Sequence, residues 1–138
     1  MNTRFSVATH ILVILHCQDG KPVSSDVIAQ SVNTHPALIR RILTQLSRAG
    51  LTQSQLGAGG GALLARPGST ITLRDVYDAV DEDGDLLGVH PGPNPDCPVG
   101  RNIQQTLRGE ISEAVNALRI QLSQKTIAAL AGDILALS

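Results

Sequence analysis

Between Ser24 and Gly50 two short apolar-periodic segments are separated by Asn33-Thr34-His35-Pro36, and no long helix or strand runs through that break. Ser24 is a capping residue ahead of Val27, Ile28 and Ala29. Asn33-Thr34 ends the first segment, and Pro36 stands where the first-turn proline of a new helix belongs. Leu38, Ile39, Ile42, Leu43 and Leu46 then recur at helical spacing until Gly50 caps the end. Two short helices across a polar turn, the second carrying charge away from its apolar stripe, form the helix-turn-helix pattern.

The flanking chain narrows the fold. Val7, Ile11, Leu12, Ile14 and Leu15 fall largely on one face of a helix spanning Thr3 to Gln18, which Asp19-Gly20 stops. After Gly50, Leu51–Leu56 and Ala62–Ala65 read as short strands around Gly57-Ala58-Gly59-Gly60-Gly61, a hairpin too rich in glycine for a helix. This is a wing. Thr72 caps a helix burying Leu73, Val76, Tyr77 and Val80, and the polar stretch from Asp81 to Val99, with four prolines, is a loop. Ile103, Leu107, Ile111, Val115, Leu118 and Leu122 follow at steps of three and four on one long amphipathic helix. Thr126 caps a closing helix with Ile127, Leu130, Ile134 and Leu135. The fold class predicted is mainly α: a winged helix-turn-helix with a two-stranded wing and a long C-terminal dimerisation helix. The expected organisation is a DNA-binding domain over 1–80, a loop over 81–98, and the dimerisation and closing helices over 99–138.

Composition supports this reading. Apolar residues at 42% furnish a core, while Phe5 and Tyr77 are the only aromatic residues, which disfavours a single-strand reader that stacks bases. The net charge of −1 conceals an asymmetry: residues 1–70 hold six Lys/Arg against two Asp/Glu, and residues 71–138 hold five against ten. The basic half is where a polyanion docks. The apolar run Ile11–Leu15 is short and leads into His16 and Cys17 rather than a cleavage site, and no stretch approaches the roughly 20 apolar residues of a membrane span. A cytoplasmic protein without membrane association is expected, its Cys17 and Cys97 reduced and Cys17 a core thiol.

Val32-Asn33-Thr34 through Leu56, Gly59-Gly60-Gly61-Ala62-Leu63-Leu64-Ala65-Arg66, the helix Ile71 to Val80 and the loop Asn94-Pro95-Asp96-Cys97-Pro98-Val99-Gly100 together resemble the Rrf-two (Rrf2) family of bacterial winged-helix regulators over nearly the whole chain. The resemblance implies a repressor or dual regulator that binds a palindromic operator in double-stranded DNA, as a homodimer formed by the crossing long helix. It matches the branch without an iron-sulfur cluster: members with a cluster carry three cysteines in the region of Asp81 to Gly100, where this chain has Cys97 alone. No cofactor is therefore expected. Leu56 stands where many members carry an arginine for the minor groove and Ala62 where an aromatic is common, which implies weaker readout by the wing.

The candidate DNA contacts are Asn33, Thr34, His35, Pro36, Ala37, Arg40 and Arg41 at the exposed start of the second helix of the motif, with Ser54, Gln55, Gly57, Gly59, Gly60 and Gly61 on the wing. Arginine binds guanine bidentately or clamps phosphate, a helix N-terminus favours phosphate, and glycines admit backbone amides close to DNA. Cys97 precedes Pro98 at the head of the long helix with Arg101 nearby, a setting that favours thiol reactivity. An oxidant or electrophile sensor is one reading, and a structural cysteine in a constitutive DNA-binding or partner-docking module is the other. A third is a small-molecule effector held beside the helix of Tyr77 and the loop of His90. The wing glycines also satisfy G-x-G-x-x-A, but Arg66-Pro67-Gly68 leaves no room for the helix a dinucleotide site needs. Asp81, Asp83 and Asp85 alternate as calcium ligands do, yet the glycine falls at 84 rather than 86 and Gly92 takes the place of the twelfth-position glutamate, so a solvated acidic loop is expected. His10, His16, His35 and His90 lack metal-ligand spacing, and no catalytic triad, phosphate loop or carboxylate pair is recognisable, so neither a metal site nor an enzyme is expected.

Overall fold

Caps and left-handed residues divide the chain into its elements. The computed structural model describes residues 2–81 and 86–138. Helix α1 (Arg4–Cys17) ends where Asp19 and Gly20 take φ of 49° and 85°. Helix α2 (Ser25–Val32) starts at Ser24, whose Oγ accepts the Val27 N–H at 3.2 Å, and ends at Asn33, which adopts the left-handed conformation with φ 63° that asparagine tolerates. Helix α3 (Pro36–Arg48) begins with its proline and ends in a Schellman motif, in which the Gly50 N–H donates to the Ser47 carbonyl at 3.0 Å and the Leu51 N–H to the Leu46 carbonyl at 2.9 Å. Gly50 has φ 77°, as that motif requires.

Strands β1 (Thr52–Gln55) and β2 (Gly61–Leu64) pair antiparallel with Thr52 opposite Leu64 and Gln55 opposite Gly61, β1 one residue shorter at each end than its sequence pattern suggests and β2 shifted by one residue. Val23, just ahead of α2, exchanges both backbone bonds with Ala62 at 2.8 and 3.0 Å and so ties the wing to the helix-turn-helix. A short 3-10 turn (Gly68–Thr70) packs against the His16 ring and leads to α4 (Leu73–Val80). Helix α4 opens with a reciprocal capping box between Thr72 and Asp75, and Arg66 donates to the same Asp75 carboxylate at 2.8 Å.

The long helix α5 (Pro98–Leu122) buries no residue completely, whereas α6 (Ile127–Leu135) returns to the body. There Thr72 bridges Thr126, and the Ile127 N–H donates to the Ile71 carbonyl at 2.8 Å. The core accordingly draws on both ends of the chain: Ile11 and Leu12 of α1, Ile28 of α2, Ile39, Ile42 and Leu46 of α3, Ile71, Val76 of α4 and Ile127 of α6 are fully buried. At roughly 1.5 to 3 kcal/mol per buried aliphatic side chain, this shared cluster fixes the helix-turn-helix within one rigid body. One expectation fails. Cys17 is exposed rather than a core thiol, because it occupies the last turn of α1 and borders an open groove beside α2 and α6.

Candidate nucleic-acid interface

Helix α3 buries Ile39, Ile42, Gln45 and Leu46 and turns the opposite side outward. Ala37, Arg40, Arg41, Thr44, Ser47 and Arg48 are all exposed there, at the steps of three and four that define one helical face. Asn33 is exposed and Thr34 half-buried at the turn, and His35 is the N-cap residue of α3 without a side-chain cap bond. The first turn of α3 therefore has no side-chain cap, with Arg40 and Arg41 about one turn further along the same face and Arg48 in the last turn, an arrangement that places positive charge along the whole face. Arg40 lies 3.8 Å from Asp26 of α2, but both side chains are mostly solvated, so the pair holds the arginine weakly. Thr44, Ser47 and Arg48 belong to this face and were missed by sequence reasoning; continuing the spacing from Ala37 and Arg41 along the helix would have found them.

The wing borders the same face. Arg40, Thr44, Ser47 and Arg48 of α3 line a groove of about 360 Å³ with Gln53 and Ser54 of β1. Ser54 and Gln55 are exposed, and the candidate glycines divide by structural role. Gly57 and Gly59 take φ of 91° and 75° with open space around them. At Gly60 a Cβ would overlap the Gln55 carbonyl, and at Gly61 the Val23 carbonyl, so these two are required by the close passage of the chain itself.

Behind this surface the loop and α5 form a second region. Cys97 is the exposed N-cap residue of α5; its N–H donates to the Asn94 carbonyl at 3.3 Å and its carbonyl accepts the Arg101 N–H at 2.9 Å. Gln104 donates to the His90 carbonyl at 2.6 Å, and Leu87 and Val89 share a cleft with Ile111, Val115 and Arg119, so the loop lies back along α5. At its C-terminal end α5 is joined to α4: the Arg119 Nε donates to Asp78 at 3.0 Å and its guanidinium sits 5.7 Å from the Tyr77 ring centre. The cleft beside Tyr77 is lined by Asn2, Arg4, Phe5, Val80, Asp81 and Leu86, so α4 and the start of the loop share it, while His90 lies outside it. Burial, then the neighbouring Asp81 carboxylate, pushes the Tyr77 phenol above its ordinary range, with Arg119 acting in the opposite direction. Asp83 and Asp85 of the acidic loop lie outside the described residues. Among the described residues no helix is long and apolar enough to cross a membrane.

The sequence and this geometry have relatives. The family model Rrf2, described as an iron-dependent transcriptional regulator, matches residues 1–133. The HTH-type transcriptional regulator YwnA of Bacillus subtilis (strain 168) is 37% identical over 127 residues, covering 92% of this chain and 93% of its own. Among solved structures, a transcriptional regulator from Lactobacillus plantarum superposes with a TM-score of 0.79 at 30% identity, covering 97% of this chain and 91% of its own. CymR, the global cysteine regulator of B. subtilis, gives 0.67 at 26% identity, covering 96% and 95%. The family description raises iron, and the donor set here does not fit it. The chain has two cysteines, Cys97 is alone at the head of α5, and among the described residues no three His, Cys, Asp or Glu side chains converge.

Proposed function

Since the chain belongs to the Rrf2 family of DNA-binding transcription regulators, and is not an enzyme, we propose that it acts as a homodimeric repressor reading a palindromic operator through α3, with Cys97 as an oxidant or electrophile sensor. The observation that carries this reading is the outward face of α3, along which Arg40, Arg41 and Arg48 run from near a start without a side-chain cap to the last turn, with the wing at its side. Asn33, Thr34, His35, Pro36 and Ala37 lie at the end of the helix that enters the major groove; Ser54, Gln55 and the wing glycines lie toward the flanking backbone. Dimerisation is supported by α5, whose Val99, Ile103 and Leu107 are 69%, 44% and 40% exposed on a helix that meets α4 near its C-terminal end. The sign of regulation and the palindrome rest on the family likeness.

Cys97 closes its turn through backbone bonds alone, so Cys97→Ser keeps the fold while removing the thiol chemistry. The test is to enrich duplexes from a random-sequence library with the full chain, then titrate the enriched duplex with reduced, peroxide-treated and diamide-treated protein beside Cys97→Ser. The reading expects an inverted repeat and an affinity that falls on oxidation of the wild type only. Failure to enrich any duplex overturns operator binding. Identical affinities in all samples leave Cys97 structural and favour a constitutive binder.

A further inference from the structure

Leu56 is 91% exposed, and no other large apolar side chain among the described residues is more so. It follows the last β1 residue, Gln55, whose partner is Gly61, and precedes a turn closed by the Gly60 N–H donating to the Gly57 carbonyl at 3.0 Å. Gly57 and Gly59 hold the left-handed conformations that this turn needs, and Gly60 packs too closely on Gln55 to admit a Cβ. Leu56 is thus carried by a tight, defined hairpin, with no neighbouring side chain to shield it from the side of Gly57. From Ala49 to Ala65 the sequence contains no charged residue. The hairpin therefore has no cation with which to neutralise a phosphate, although Gln53 and Ser54 place it along the groove that holds Arg40 and Arg48.

We propose that Leu56 is an apolar wedge that the wing inserts into the minor groove flanking the α3 site, selecting A·T pairs there. An element beside a helix seated in the major groove meets the adjoining backbone strand and, past it, the minor groove. Leucine is among the side chains that enter that groove and press on base steps. The floor of an A·T pair presents acceptors alone, whereas a G·C pair adds the guanine amine, and an apolar side chain over that amine leaves a buried donor unpaired. The inference rests on the assignment of α3 as the DNA-reading helix.

The test uses the duplex enriched by the wild-type chain, with each flanking A·T pair replaced in turn by 2,6-diaminopurine·T. That exchange adds an amine to the minor groove and preserves the major-groove edge. The wild type should lose about tenfold in affinity at the pairs under the wing, the consequence of one unpaired donor. Leu56→Ala should bind the unmodified duplex several-fold more weakly, melt at the wild-type temperature and be indifferent to the amine. Its dependence on salt should equal that of the wild type, whereas Leu56→Arg should steepen the slope by about one per subunit. Equal amine sensitivity in wild type and Leu56→Ala, or none in either, overturns the wedge. Arg40→Ala separates the two claims: if it weakens binding while Leu56→Ala does not, the α3 assignment stands and the wedge falls.

Discussion

Arg40, Arg41 and Arg48 share one face of α3 but not one environment, since Arg40 alone has the Asp26 carboxylate within 3.8 Å. All three are exposed and contribute little to the core, so each alanine variant should melt within a degree or two of the wild type while losing DNA affinity. A lost base contact costs about 1 to 3 kcal/mol and relaxes one operator position; a lost phosphate contact weakens all sequences and lowers the salt slope by about one. Titration of the enriched duplex at several salt concentrations assigns each arginine, and three unchanged affinities would place the DNA surface elsewhere. Tyr77 makes a separate prediction. Its phenol titrates higher in the folded chain than in the unfolded one, chiefly through burial, so the stability linked to it is complete below pH of about 10 and is lost as pH rises through the folded value. Alkaline unfolding should accordingly have a component above pH of about 10 that Tyr77→Phe removes. Identical alkaline profiles would contradict the assignment.

Among the elements, α5 is the one that buries no residue in the protomer. Ile103 and Leu107 lie outside the core, so replacing both by aspartate should leave the thermal transition near that of the wild type and convert a dimer to a monomer by sedimentation. A wild-type monomer at micromolar concentration would refute the role given to this helix. Elements set by local chemistry were legible in the sequence: Ser24, Thr72 and Thr126 each cap the helix expected of them, and Asn33 and Gly50 adopt left-handed conformations at the predicted breaks. Features made by long-range contact were not. The single-residue bridge from Val23 to Ala62 has no periodicity to announce it, and Gly60 and Gly61 looked like sites of approach to DNA although carbonyls of the chain itself already occupy that space. Cys17 was misjudged because thiols are commonly buried, whereas its position on the last turn of α1 turns it outward. The α3 face was read only at its start, so Arg48 escaped notice.

Over the whole molecule the chain leaves its core at α4, runs out along α5 and returns through α6, which leaves one long lever, lined in part by the loop before it, on the rigid body that carries α3. Cys97 stands at the head of that lever and Arg119 at its joint with Asp78 and Tyr77, about 33 Å away along the helix axis at the usual rise per residue. A change at the head that alters how two levers cross would rotate two α3 helices relative to one another. Their spacing has to match one helical turn of DNA, roughly 34 Å, or a multiple of it, so a small rotation costs much affinity. For the proposed dimer the requirement is thus geometric: two copies of α3 would have to meet two half-sites at once. Hydroxyl-radical footprinting of the enriched duplex tests it most directly. Two equivalent protected patches, related by a two-fold axis, separated by one or more full turns and lost together in the Ile103→Asp, Leu107→Asp variant, are the predicted result; a single unsymmetrical patch that survives in that variant would contradict it.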